Sequence, residues 1–203
     1  MFVQPRVIRI LWQNINWIIM ALLFFGLGIF VSAFALGNEK FFLTELTESQ
    51  QHFLKEMAEM VFSGSPVRGI ILLFINNLLA SLQMMLLGVL LGIPPLFGLF
   101  TNGALLGSLL IGLGHEGVSA LTFMWVGVLP HGIFELPAFL ISAAFGLKMG
   151  FHLVFPLPQK KRGESLSFIW REFLAVFPLL INLLIIAAVI EVILTPLLVK
   201  LLF

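Results

Sequence analysis

The sequence has little charge and no cysteine. Lys, Arg, Asp and Glu make up only 10% of the 203 residues, 60% are hydrophobic, and the mean hydropathy is +1.12. A chain with so little polar surface cannot cover a soluble globule, so the composition predicts an integral membrane protein. The lack of cysteine excludes a disulfide framework and any metal site or nucleophile built on cysteine.

The chain also lacks the motifs of several enzyme classes. It has no phosphate-binding glycine loop and no serine nucleophile elbow. The segment HGIFE, residues 131–135, has one histidine too few for the zinc-hydrolase motif HExxH. The short basic run at 159–162 is explained by membrane topology rather than by nucleic-acid binding. We therefore expect neither an enzyme nor a nucleic-acid-binding protein.

Five apolar segments are long enough to be membrane helices. They predict a single transmembrane domain over residues 1–203, an all-α polytopic bundle with spans at about 17–36, 67–91, 96–112, 118–147 and 173–198. The first run is too long for the core of a cleaved signal peptide. Gly88 and Gly92, just before Pro94 and Pro95, predict a very short connection between the second and third spans.

Charge is distributed unequally between the two sides of this predicted bundle. Seven of the eleven Lys and Arg residues lie near the N-terminus and in the loop at 148–172. The positive-inside rule places these regions in the cytoplasm. Residues 37–66 carry five glutamates and are predicted to form an extracytoplasmic loop. We therefore expect a multi-pass protein of the cell membrane with a cytoplasmic N-terminus and an extracytoplasmic C-terminus.

The extracytoplasmic loop contains the pattern of a short amphipathic helix. Residues 47–50 fit a capping box, and apolar residues then recur at helical spacing, which predicts a helix over about 48–62. Such a helix either lies on the bilayer and caps the bundle or offers a docking face to an extracytoplasmic partner.

His131 and Glu135 lie between two prolines in the fourth span. Four residues apart on a helix, they project from one face. Pro130 and Pro137 lack an amide proton, so each leaves a carbonyl of the preceding turn without its helical donor. A straight helix over 118–147 would measure about 45 Å, whereas the hydrocarbon core is about 30 Å thick. This span is therefore expected to tilt, kink or divide near Pro130.

Ionisable residues at membrane depth are costly, so His131 and Glu135 are expected to face the interior of the bundle. Three roles are open to them: a hydrogen-bonded pair that fixes helix orientation, a site for Zn²⁺ or another divalent metal, and a proton relay in transport. Further metal ligands would come from backbone carbonyls or a second subunit. Glu191 in the last span would either reach the lipid headgroups or join this site.

Polar residues and glycines recur in a specific order between residues 70 and 150. They are Asn76, Asn77, Gly88, Gly92, Asn102, Gly103, Gly107, His131, Gly132, Glu135, Gly146 and Gly150. The most specific part is PHGIFELPA at 130–138. This ordered set resembles the stage II sporulation protein M family of integral membrane proteins.

The resemblance implies a polytopic membrane protein with no established catalytic activity. In endospore formers the family member anchors stage II sporulation proteins D and P, the peptidoglycan-degrading enzymes of engulfment, at the septum. By this resemblance we expect a noncatalytic scaffold in the lipid bilayer with proteins D and P as partners. The alternative is a secondary transporter or channel that uses His131 and Glu135.

The remaining polar and small positions receive no chemistry from the resemblance. We expect them to pack inside the bundle, where amides hydrogen-bond between helices and small residues allow close approach. They are Asn76, Asn77, Asn102, Gly103 and Gly132. The many pairs of small residues four positions apart also lead us to expect a homodimer.

Overall fold

The protein is a bundle of helices joined mostly by short turns. The computed structural model describes residues 4–35, 56, 59–61, 63–115 and 119–202, and within these ranges it contains no β-strand. The all-α fold predicted from the sequence is confirmed, and five helical stretches in the described part of the chain are long and apolar enough to cross a membrane.

The described helices differ widely in length. In chain order they are α1 (Pro5–Gln13), α2 (Ile15–Ala35), α3 (Pro66–Leu86), α4 (Ile93–His115), α5 (Ala120–Phe123), α6 (Leu129–Val154), α7 (Arg162–Val189) and α8 (Thr195–Leu202). A single 3₁₀ turn at Leu87–Val89 follows α3. Two π-helical segments, Met124–Val128 and Ile190–Leu194, connect α5 to α6 and α7 to α8.

The last two apolar stretches are longer than the sequence predicted. They run over Leu121–Val154 and Arg162–Lys200. Helix α6 therefore continues past residue 147, and α7 begins well before residue 173. The predicted cytoplasmic loop at 148–172 is reduced to the residues between the two helices, 155–161. The orientation of the termini across the membrane stays a prediction.

The amphipathic helix predicted over 48–62 lies mostly outside the described residues. Residues 56 and 59–61 are helical. Val61 is buried and lies against Gly69 near the start of α3.

Helix α1 is amphipathic and lies at the N-terminal end of the bundle. Val7 and Ile10 are buried, whereas Arg6, Arg9 and Trp12 are exposed. A helix with an apolar inner face and a basic outer face containing tryptophan suits the membrane interface. Such a helix suits either interface, so the cytoplasmic position of the N-terminus stays a prediction.

Helix α6 is the centre of the bundle, and every residue from 140 to 150 is buried. One side of α6 packs Phe145 against Phe173 of α7, with ring centroids 5.7 Å apart. Its other side places Leu140 and Ala144 against Phe25 of α2. The remaining long helices are therefore arranged around α6.

Glycines bring helices together at the level of the backbone. A Cβ atom on Gly103 of α4 would collide with the carbonyl oxygen of Phe25 in α2. A Cβ atom on Gly146 of α6 would collide with the carbonyl oxygen of Met84 in α3. Small residues at such crossings allow the close van der Waals contact that drives helix association in membranes.

The connection between α3 and α4 is as short as predicted, and it contains a glycine that its backbone conformation favours. Gly92 has φ +73°, in the left-handed region. The backbone of Gly92 also lies so close to Gly150 of α6 that a Cβ atom on Gly150 would collide with it. The turn is thereby fixed against the central helix.

We expect Gly146→Ala to lower the free energy of unfolding by about 1–3 kcal/mol, the usual cost of overpacking. The added methyl group meets the Met84 carbonyl, which belongs to a helix backbone and cannot move aside easily. Gly26→Ala is the matched control, because a Cβ atom there meets nothing within 4 Å. Thermal unfolding in detergent, followed by tryptophan fluorescence, measures the difference, and equal midpoints for the two variants would contradict this packing.

Candidate functional site

Three ionisable side chains meet near the N-terminal end of α6, just after the first π segment. His131 and Glu135 lie one turn apart on α6, and Glu191 lies in the π segment after α7. Each residue offers one ligand-type atom, and these atoms all lie within 4.8 Å of one another. All three residues are partly buried. Two elements distant in sequence therefore build one polar cluster inside the apolar spans.

Each π segment ends two residues before a proline. Met124–Val128 is followed by Pro130, and Ile190–Leu194 is followed by Pro196. In both cases the residue before the proline donates its N–H to the carbonyl five residues back. Proline cannot make the regular helical bond and its ring crowds the preceding turn, so a widened turn accommodates it. The fourth span is thus distorted before Pro130 but stays helical.

Asn77 of α3 faces this cluster. Its side chain is 9% exposed and lies within interaction distance of the Glu135 carboxyl. The Oδ1 atom accepts a long hydrogen bond of 3.4 Å from Asn76 Nδ2. The Nδ2 atom of Asn77 makes no hydrogen bond of standard geometry with any described residue. The same holds for the buried Nδ1 atom of His131. Unsatisfied buried nitrogens are uncommon and need an explanation.

The other predicted site residues are dispersed. Asn102 is exposed on α4, and among the described residues its Nδ2 donates to the carbonyl of Gly98 one turn earlier, at 2.8 Å. The expectation that Asn102 packs inside the bundle is wrong. The glycine face of α4 packs against α2, so the side chain of Asn102 lies on the outer surface of the bundle. Gly103 lies in that α2 contact. Gly132 is partly buried, and among the described residues a Cβ atom on it would make ordinary contact with the Val128 side chain.

A second polar cluster lies near the other end of α6 and was not predicted. Lys148 Nζ donates to Glu172 of α7 at 2.6 Å and to Asn14 Oδ1 at 2.7 Å. Asn14 Nδ2 in turn donates to the carbonyl of Ile10 at 2.8 Å. Lys148, Glu172 and Asn14 are only 6%, 8% and 1% exposed. This cluster ties α6 to α7 and to the junction of α1 and α2.

The count of basic residues assigned Lys148 to a cytoplasmic loop, and the structure corrects that assignment. A different signal in the sequence was available. Lys148 stands alone in the apolar run FGLKMGF, residues 145–151, whereas a loop lysine usually has polar neighbours. A single charge in such a run is normally buried against a partner of opposite charge.

We expect Lys148→Met to lower the free energy of unfolding by about 3–5 kcal/mol, because it leaves the buried Glu172 carboxylate without its partner. Adding Glu172→Leu should restore most of the loss, since the double variant buries no uncompensated charge. Lys160→Met, at an exposed lysine, is the control. The measurement is thermal unfolding in detergent. A double variant no more stable than Lys148→Met would show that the ion pair is not the cause.

Comparison with known proteins identifies relatives of this chain. The family model described as Stage II sporulation protein M matches residues 21–196. An uncharacterized protein of Methanocaldococcus jannaschii is 35% identical over 123 residues, which are 60% of this chain and 67% of that protein. A second uncharacterized protein of that organism is 33% identical over 125 residues, 61% of this chain and 56% of the relative. No solved structure matches the chain.

Proposed function

Because the chain belongs to the stage II sporulation protein M family, we propose that it is a noncatalytic membrane scaffold that anchors partner proteins at the outer face of the cell membrane. The observation that carries this proposal is the family match over residues 21–196, which includes most of each long apolar helix. The family resemblance supplies both the noncatalytic role and the class of partner.

The packing of the bundle supports this role. A scaffold must hold its loops at fixed positions, and the backbone contacts at Gly103 and Gly146 leave the helices little room to slide. The buried hydrogen bonds of Lys148 add a specific register between α6 and α7. Ion pairs of this kind are weak evidence for stability but can specify one arrangement over others.

We assign the partner surface to the acidic segment at 37–66. Its five glutamates and the predicted topology would put a charged face outside the membrane. The partners that the resemblance implies, stage II sporulation proteins D and P, act on peptidoglycan and therefore work on that side.

A homodimer is also part of this proposal. Asn102 lies within the apolar stretch Ile93–Leu113, yet it is exposed on the surface of the single chain. An amide at membrane depth is stabilised by a hydrogen bond across helices, and a second copy of α4 would supply one.

Replacement of residues 40–62 by a Gly/Ser linker of the same length should abolish recruitment of the partners without reducing the amount of protein in the membrane. The measurement is co-purification with co-expressed stage II sporulation proteins D and P. Replacement of residues 158–160 in the predicted cytoplasmic turn is the control and should have no effect. Partners that still co-purify with the 40–62 replacement would refute the assigned docking surface.

A transporter is the second candidate, and the cluster of His131, Glu135 and Glu191 is the observation that favours it. Intramembrane ionisable residues beside helix distortions mark ion pathways in many transporters. In that case Glu135→Gln should abolish ion flux in proteoliposomes while the protein still folds and inserts. Flux of protons or divalent cations is measured with fluorescent indicators inside the vesicles. Equal flux in wild type, variant and empty vesicles would count against this candidate.

A further inference from the structure

We propose that His131, Glu135 and Glu191 together bind one divalent transition-metal ion, for which Zn²⁺ is the best fit, inside the apolar part of the bundle. The sequence alone offered two ligands, His131 and Glu135, and left the others open to backbone carbonyls, a second subunit or Glu191. The structure supplies the third ligand from the same chain. The proposal does not depend on whether the protein acts as a scaffold.

The spacing of the ligand atoms suits a single ion. The His131 nitrogen and the two glutamate oxygens lie within 4.8 Å of one another. Zinc binds imidazole nitrogen and carboxylate oxygen at about 2.0–2.2 Å, so the ligand atoms of one ion are about 3–4 Å apart. Binding of the ion would therefore draw these atoms together by about 1 Å. Three protein ligands also leave a fourth position, as in zinc sites that hold water or a further ligand.

Charge balance explains why a cation belongs here. Glu135 and Glu191 place two carboxyl groups close together in a region of low dielectric constant, where two negative charges repel strongly. A divalent cation neutralises both charges at once. The neutral imidazole of His131 then adds a ligand without adding charge. Because imidazole is a ligand typical of zinc and its neighbours rather than of Mg²⁺ or Ca²⁺, the donor set favours a transition metal.

Two buried nitrogens beside the cluster make no hydrogen bond of standard geometry among the described residues, and each has a role at a metal site. The buried Nδ1 atom of His131 has no hydrogen-bond partner among the described residues, which leaves it available as a ligand. Asn77 is more than nine-tenths buried, faces Glu135, and has an unpaired Nδ2 donor among those residues. Ligating carboxylates are held in orientation by such outer donors. Asn77 would therefore fix the Glu135 oxygen that does not face the metal.

The π segments explain how the ligands converge. Glu191 lies inside Ile190–Leu194, where the extra residue of the widened turn re-aims the side chain. The π segment Met124–Val128 would likewise change the direction of the His131 side chain, which lies in the next turn. An ion at this point would tie the end of the last long helix to α6.

The test is elemental analysis of the purified full-length protein and three variants. Wild type grown with added zinc should contain about one zinc per chain, the stoichiometry of a single site. His131→Ala and Glu191→Gln should lose the metal. His152→Ala should keep it, because His152 lies near the opposite end of α6. The absence of zinc from wild type, or its retention in both site variants, would overturn the proposal.

A second measurement, on the wild-type protein, tests the metal site even if the variants fail to fold. Wild type stripped with a chelator is titrated with Zn²⁺ or with Mg²⁺, and its thermal unfolding is recorded. We expect Zn²⁺ to raise the midpoint and Mg²⁺ to leave it unchanged, with no Zn²⁺ effect in folded Glu191→Gln. No shift of the midpoint with Zn²⁺ would contradict a metal site. If Zn²⁺ raises the midpoint but no partner co-purifies with the wild-type protein, the metal site stands and only the scaffold role is refuted.

Discussion

Helix α6 carries polar side chains near both ends, and hydrocarbon offers them no hydrogen-bonding partner. His131 and Glu135 therefore meet Glu191 and Asn77, while Lys148 meets Glu172 and Asn14. The neighbours of α6 must supply these partners from fixed positions. The need to satisfy both ends of one central helix thus determines how the other helices are placed around it.

The two clusters are built differently and have different consequences. The Lys148 cluster is closed, since the ammonium group meets a carboxylate and an amide oxygen at hydrogen-bond distance. The His131 cluster is open, with two acidic groups, one imidazole and two buried nitrogens left unpaired within the described structure. A closed cluster specifies the fold, whereas an open one has the capacity to bind a cation. The two kinds of cluster lie near opposite ends of α6.

Much of the fold could be predicted from the sequence, because runs of apolar residues reveal membrane helices without tertiary information. Only part of the candidate site could be predicted from the sequence. His131 and Glu135 share a helix face by their spacing, but the approach of Glu191 depends on two proline-associated π segments whose geometry leaves no simple periodic signal. Lys148 was misplaced because a count of charges cannot tell a buried lysine from one in a loop. Asn102 was misplaced because the direction of a helix face depends on which neighbour its glycines contact.

The central claim is that the polar side chains of α6 face neighbouring helices, whereas exposed positions of α6 such as Ile133 face lipid. The most direct test is the oxygen accessibility of nitroxide labels on single cysteines, which the cysteine-free chain allows without prior mutation. Labels at Ile133 and Phe151, which are 59% and 48% exposed, should be readily accessible in bilayers, and labels at the buried Leu140 and Ser142 should not. Equal or reversed accessibility would contradict the inward orientation on which both clusters depend.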